Sequence, residues 1–136
     1  MSREIKFRAW DNETNKYFEP TYQSYMGRLE ELTIALSGRL QKRTYRGVAD
    51  ESTFHGRYVV EQYTGLKDSN GDDIYENDLV LLDPDDPPYQ VIFDEGKFEL
   101  SNDYLGLVYD LSEEHMDCEI VGNVHTNPEL LEVEHD

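Results

Sequence analysis

From Arg57 to the C-terminus the chain is interrupted too often for anything but short strands. Apolar stretches such as Tyr58-Val59-Val60 and Leu79-Val80-Leu81-Leu82 are cut off by Asn70-Gly71, by Asp83 to Pro88 with its three prolines, and by Asp94-Glu95-Gly96. Proline donates nothing to a sheet ladder, and Asn-Gly accepts positive φ at low cost, so these pairs punctuate strands. The spacing predicts strands at Tyr58–Tyr63, Leu79–Leu82, Tyr89–Phe93, Lys97–Leu100, Leu105–Leu111 and Glu119–Val124. Asp94-Glu95-Gly96 reads as a three-residue hairpin loop with Gly96 at positive φ. Asn127-Pro128-Glu129-Leu130-Leu131 has the cap and first-turn proline of a short helix. Strands this short and closely spaced predict a small barrel or sandwich.

The N-terminal part is patterned differently. Glu4 to Trp10 alternates, with Ile5, Phe7 and Ala9 on one face and Lys6 and Arg8 on the other, which is a strand. Asp11 to Asn15 then turns the chain toward Tyr17-Phe18, predicting a hairpin. Over Met26 to Ser37, Leu29, Leu32 and Leu36 have helical spacing and Gly38 follows as a stop, predicting a short helix. Leu32, Ile34 and Leu36 also alternate, and a strand is the competing reading. Arg39 to Gly56 is polar and reads as a connector. The expected division is residues 1–56, an N-terminal hairpin, short helix and connector, and residues 57–136, a β-barrel domain. At 136 residues the two together have the size of one compact domain.

Charge is distributed unevenly. The net charge of −18 splits into ten Lys/Arg against eight Asp/Glu in residues 1–60, and two against twenty-two in residues 61–136. Such asymmetry suits attraction between neighbouring copies, a basic partner, or a solvated acidic surface. Direct binding of nucleic acid by the acidic half is disfavoured, because phosphates repel it. No apolar run approaches the roughly 20 residues of a membrane span, and Met1 to Lys6 lacks a signal-peptide stretch. A single cysteine, Cys118, excludes an internal disulfide and fits a reducing cytosol.

The motifs that would carry chemistry fail on inspection. Gly71 placed at the sixth position of a calcium loop puts Leu66 at the first and Asn77 at the twelfth, so two obligatory ligands are missing. The simpler reading is a hairpin at Asn70-Gly71, flanked by hydrated Asp68 and Asp72. His115 and Cys118 are three apart without a second pair, while His55, His125 and His135 are dispersed, which is no zinc pattern. No nucleophile elbow, phosphate loop or dinucleotide fingerprint is present. The expected catalytic, cofactor-binding and metal-binding residues are therefore none, and no cofactor is expected.

Three segments nevertheless resemble one family in the same order. Arg3-Glu4-Ile5-Lys6-Phe7-Arg8-Ala9-Trp10-Asp11 is similar to the opening of YopX-type proteins. Gln62 to Val80, including Tyr63-Thr64-Gly65-Leu66-Lys67-Asp68 and Ile74-Tyr75-Glu76-Asn77-Asp78, resembles their central signature. Ile120-Val121-Gly122-Asn123-Val124-His125 with Asn127-Pro128-Glu129-Leu130-Leu131 resembles their C-terminal one. The resemblance implies a phage or prophage origin, a mainly β fold built on a small SH3-like barrel, and self-association; it implies no reaction. The expectation is a non-enzymatic accessory protein of the host bacterial cytosol, binding its own copies or a host or phage protein. The alternatives are an acidic DNA-mimic decoy for a host nucleic-acid-binding protein and a cryptic metal-dependent hydrolase.

Overall fold

The structure, a computed structural model, describes residues 4–23 and 27–132. The chain is mainly β and separates into two units, residues 9–59 and residues 1–8 with 60–136. The second of these is the main unit. Strands β1 (Phe7–Asp11) and β6 (Tyr58–Lys67) carry the chain from one unit to the other and belong to a sheet of order β2-β1-β6-β7, with β2 at Lys16–Tyr17 and β7 at Asp73–Tyr75.

In the main unit, β8 (Asp78–Leu81), β9 (Tyr89–Asp94), β10 (Lys97–Asn102), β11 (Leu107–Asp110) and β12 (Glu119–Asn123) form an antiparallel sheet of order β11-β10-β9-β8-β12. Alternation sets its faces: Val91 lies opposite Leu100, and Leu100 opposite Tyr109. Ile74, Val80, Tyr89, Val91, Leu100, Leu111 and Cys118 form the core, with Leu66, Leu82, Phe98, Leu105 and Ile120 packed against it. Each fully buried aliphatic side chain there contributes about 1.5–3 kcal/mol. Short helix α1 (Leu111–Glu114) starts where Asp110 accepts the Ser112 amide and seals the core with Leu111.

Turn chemistry shortens one predicted loop. Asp94 pairs directly with Lys97, so the β9–β10 connection is two residues, Glu95 at φ 51° and Gly96 at φ 83°. Both positive φ values match the strand twist, so the three-residue reading is corrected. The predicted strand at Leu105–Leu111 narrows to β11, because Asp110 caps a helix. The predicted helix at Asn127–Leu131 is a 3-10 turn over Pro128–Leu131.

Within residues 9–59, β3 (Glu30–Ile34), β4 (Leu40–Thr44) and β5 (Gly47–Asp50) form an antiparallel sheet of order β3-β4-β5. This corrects two expectations. Of the helix expected at Met26–Ser37, Met26 lies outside the described residues and Glu30–Ile34 is a strand. The period of two prevails because Leu32 sits opposite Lys42 and Ile34 opposite Leu40. The connector expected at Arg39–Gly56 supplies the other two strands. Its basic residues are largely spent on partners: Arg39 on Asp50 and Glu51, and Arg43 on Glu31. The β1–β2 hairpin forms as expected, Trp10 meeting Tyr17 edge-on at 5.1 Å, and Arg57 forks onto Asp11 at 3.1 and 3.0 Å.

Candidate functional site

The central signature folds into a corner between two sheets. Gly65 at φ 85° lies where the β6–β7 register shifts between Tyr63 and Lys67. Two residues after β7, Asn77 at φ 69° redirects the chain into β8, a left-handed conformation asparagine tolerates better than most residues. The corner is tied on several sides. Glu76 exchanges backbone and side-chain bonds with Gln62, the Asn77 amide donates to the Val91 carbonyl, and the Val124 amide donates to the Asn77 carbonyl.

A buried ionic cluster fills this corner. Glu61 and Asp78 are 1% and 3% exposed. Arg8 bridges them, its Nε donating to Glu61 Oε1 at 2.8 Å and its Nη2 to Asp78 Oδ1 at 2.9 Å and to the Glu76 carbonyl at 3.1 Å. The Arg8 guanidinium also lies 4.7 Å from the Tyr75 ring centre. Glu61 Oε2 accepts from Asn77 Nδ2 at 2.6 Å and lies 2.8 Å from His125 Nε2. Gln90 donates to Asn77 Oδ1 at 3.1 Å, and the Tyr75 amide to Asp78 Oδ2 at 2.8 Å. Burial pushes the Asp78 carboxyl up, against the pull of Arg8.

The C-terminal signature positions the histidine. Asn123 Oδ1 accepts the amides of His125 and Thr126, and Asn127 Oδ1 accepts the amide of Asn123. At Gly122 a Cβ would overlap the Asn127 side chain, so close approach dictates glycine there. Arg8, Glu61 and His125 were invisible as site residues in the sequence. The available signal is alternation: Glu61 shares its face with buried Tyr63, and Arg8 shares its face with buried Trp10.

The candidate calcium loop is built around one carboxylate. Asp68, expected to be hydrated, is 2% exposed. Its Oδ1 accepts the Asn70 and Asp72 amides at 3.0 and 2.9 Å, and its Oδ2 the Ile120 amide at 2.9 Å. Asn70 does not adopt positive φ and Gly71 does, at 83°, so a five-residue loop replaces the expected Asn-Gly turn. Among the described residues no group of three metal-ligating side chains comes together. His115 Nδ1 donates to the Lys67 carbonyl at 2.8 Å, while Cys118 is fully buried and burial pushes its thiol up to about 11. A groove of about 490 Å³ in the main unit is lined by Leu66, Phe93, Phe98 and Lys97, with Asp110 its only carboxylate among the described lining. No helix among the described residues is long and apolar enough to cross a membrane.

Asp73 lies between Lys6 Nζ at 2.6 Å and Lys67 Nζ at 2.7 Å, and these hydrogen bonds hold its carboxyl down at about 2. A lowered carboxylate contributes stability above its unfolded value near 3.8, lost as pH falls through the folded value. Denaturant titrations between about pH 4 and pH 2 should therefore show a flatter decline for Asp73→Asn than for the wild type. Parallel profiles would remove Asp73 from the acid response.

A mainly β protein whose signature residues bind one another inside a sheet corner is the class this geometry defines. A family model described as YopX protein matches residues 6–132, and the chain belongs to the YopX family. Among solved structures it is similar to protein EF1440 from Enterococcus faecalis, with 26% identity, a TM-score of 0.61, and coverage of 96% of this chain and 100% of that one. It is also similar in fold to protein yopX from Bacillus subtilis, with 22% identity, a TM-score of 0.61, and coverage of 98% and 100%. No curated protein matches.

Proposed function

We infer that the chain is a non-enzymatic phage or prophage accessory protein of the bacterial cytosol, built as an SH3-like module that binds protein, its own copies first. The observation that carries this reading is the division of labour in the main unit. Its buried carboxylates, Glu61, Asp78 and Asp68, are engaged with half-buried Arg8 and with the backbone. Meanwhile Ile5, Phe7, Phe93, Leu107, Val108 and Tyr109 stand in solvent. Charge held inside as scaffold and apolar side chains held outside suit display of a binding surface.

Light scattering over a range of concentrations tests the reading. The expected result is a mass of at least twice the 15.9 kDa chain. A monomer at every concentration, together with no protein recovered on the immobilised chain from host or infected-cell lysate, would overturn it. One observation favours the decoy as a second reading. Residues 9–59 carry seven Lys/Arg and seven Asp/Glu, so the whole net charge of −18 falls on the other residues. A captured host protein released by competitor DNA would select the decoy.

A further inference from the structure

Resting on that reading, the geometry points to the outer edge of β11 as the self-association surface, taking β11 of a second copy antiparallel about a two-fold axis. β11 ends the five-stranded sheet, paired on one side with β10 from Glu99↔Asp110 to Asn102↔Leu107. Leu107, Val108 and Tyr109 are 39%, 56% and 37% exposed. An outer strand with free amides and carbonyls is a template for another strand unless something blunts it.

The other outer strands are blunted or offer less apolar surface. β2 has two residues, one of them Lys16, and β7 has three, with Asp73 held between two lysines. β3 opens on Glu30-Glu31, β5 opens on Gly47 at φ 123° and offers Val48 as its one large apolar side chain, and β12 opens on Glu119 and breaks register between Ile120 and Gly122. β11 carries no proline, lysine or register shift. Its one charge, Asp110, is drawn into the cap of α1.

The occupant follows from the absence of charge on this edge and from self-complementarity. Residues 61–136 hold twenty-two acids and two bases, and the run Leu105 to Tyr109 is without charge among them. The edge offered is short, apolar and uncharged, and β11 of a second copy matches it in all three. Residues directly opposite in an antiparallel ladder share a face. With the two-fold axis at Val108, Val108 meets Val108, and Leu107 meets Tyr109 of the second copy. Leu107 and Tyr109 share the face of Leu100, so this register extends both the ladder and the apolar layer. It also places Asp110 opposite Gly106 of the second copy, away from the other Asp110.

The salt dependence is diagnostic. Two copies of net charge −18 repel, and the Debye length falls from about 10 Å at 0.1 M to about 3 Å at 1 M. A dimer held by this edge strengthens as salt rises, whereas one held by opposite charges weakens. The test is sedimentation of the full chain and its variants in low and high salt. Val108→Lys, at an exposed position and facing its own copy, should weaken association by at least about tenfold. Val121→Lys on the opposite outer strand should leave it unchanged. With oxidised glutathione, Val108→Cys should form a disulfide-linked dimer and Leu107→Cys should not, since only residue 108 faces itself. An oligomer that survives Val108→Lys and dissolves in high salt would overturn the edge assignment while leaving self-binding intact. A wild-type monomer would overturn both.

Discussion

Replacing Arg8 by methionine is expected to lower stability by about 3–5 kcal/mol, the cost typical of leaving buried carboxylates without their cation. Arg8 is the cation placed between Glu61 and Asp78 at 2.8 and 2.9 Å, and both acids are almost wholly removed from water. Methionine fills similar volume, so the loss reports charge and hydrogen bonds more than packing. Arg8→Lys keeps the charge without the fork that reaches two carboxylates and the Glu76 carbonyl, and should fall between. The triple change Arg8→Met, Glu61→Gln, Asp78→Asn removes the ions together and should recover most of the loss. Urea unfolding followed by circular dichroism measures all three. A cost for Arg8→Met within about 1 kcal/mol of zero, ordinary for a surface change, would show that water reaches the cluster.

That cluster also explains why the site was hard to read from the residues. The strands beyond Arg57, apart from three-residue β7, were legible because Gly96, the Asp83–Pro88 stretch and Gly71 bound them with recognisable turn chemistry. The sheet of β3, β4 and β5 was not, because part of its register rests on ions. Glu31 faces Arg43 and Arg39 meets Asp50, where alternation of apolar and polar residues would have been the signal. Met26 to Ser37 offered both periods, and pairing with β4 decided between them. Glu61 and Asp68 share a deeper difficulty. A carboxylate in a strand or a turn ordinarily points to water, and the partners that hold these two inward include ones brought from 52 to 64 residues away. The family signatures marked the right segments without indicating which of their side chains are buried.

Asp68→Ala is expected to cost about 3 kcal/mol, roughly one for each of the three amides it leaves without an acceptor. Its Oδ1 holds the loop by Asn70 and Asp72, and its Oδ2 holds β12 by Ile120. The same loop is tied to the segment before β12 by the Ser69 amide on the Cys118 carbonyl, 2.9 Å away. Asparagine is no conservative replacement. It keeps one oxygen for the loop, and its amide then confronts the Ile120 N–H, donor against donor. Asp68→Asn should therefore lose nearly as much as alanine, with the Ile120 amide exchanging far faster in hydrogen-exchange measurements. Asp72→Ala, whose carboxylate is exposed, should change little. If Asp68→Ala costs no more than Asp72→Ala, the loop is the hydrated turn its sequence suggests. If it costs the full amount, a single carboxylate joins the central signature to the C-terminal one, which accounts for both motifs in one chain.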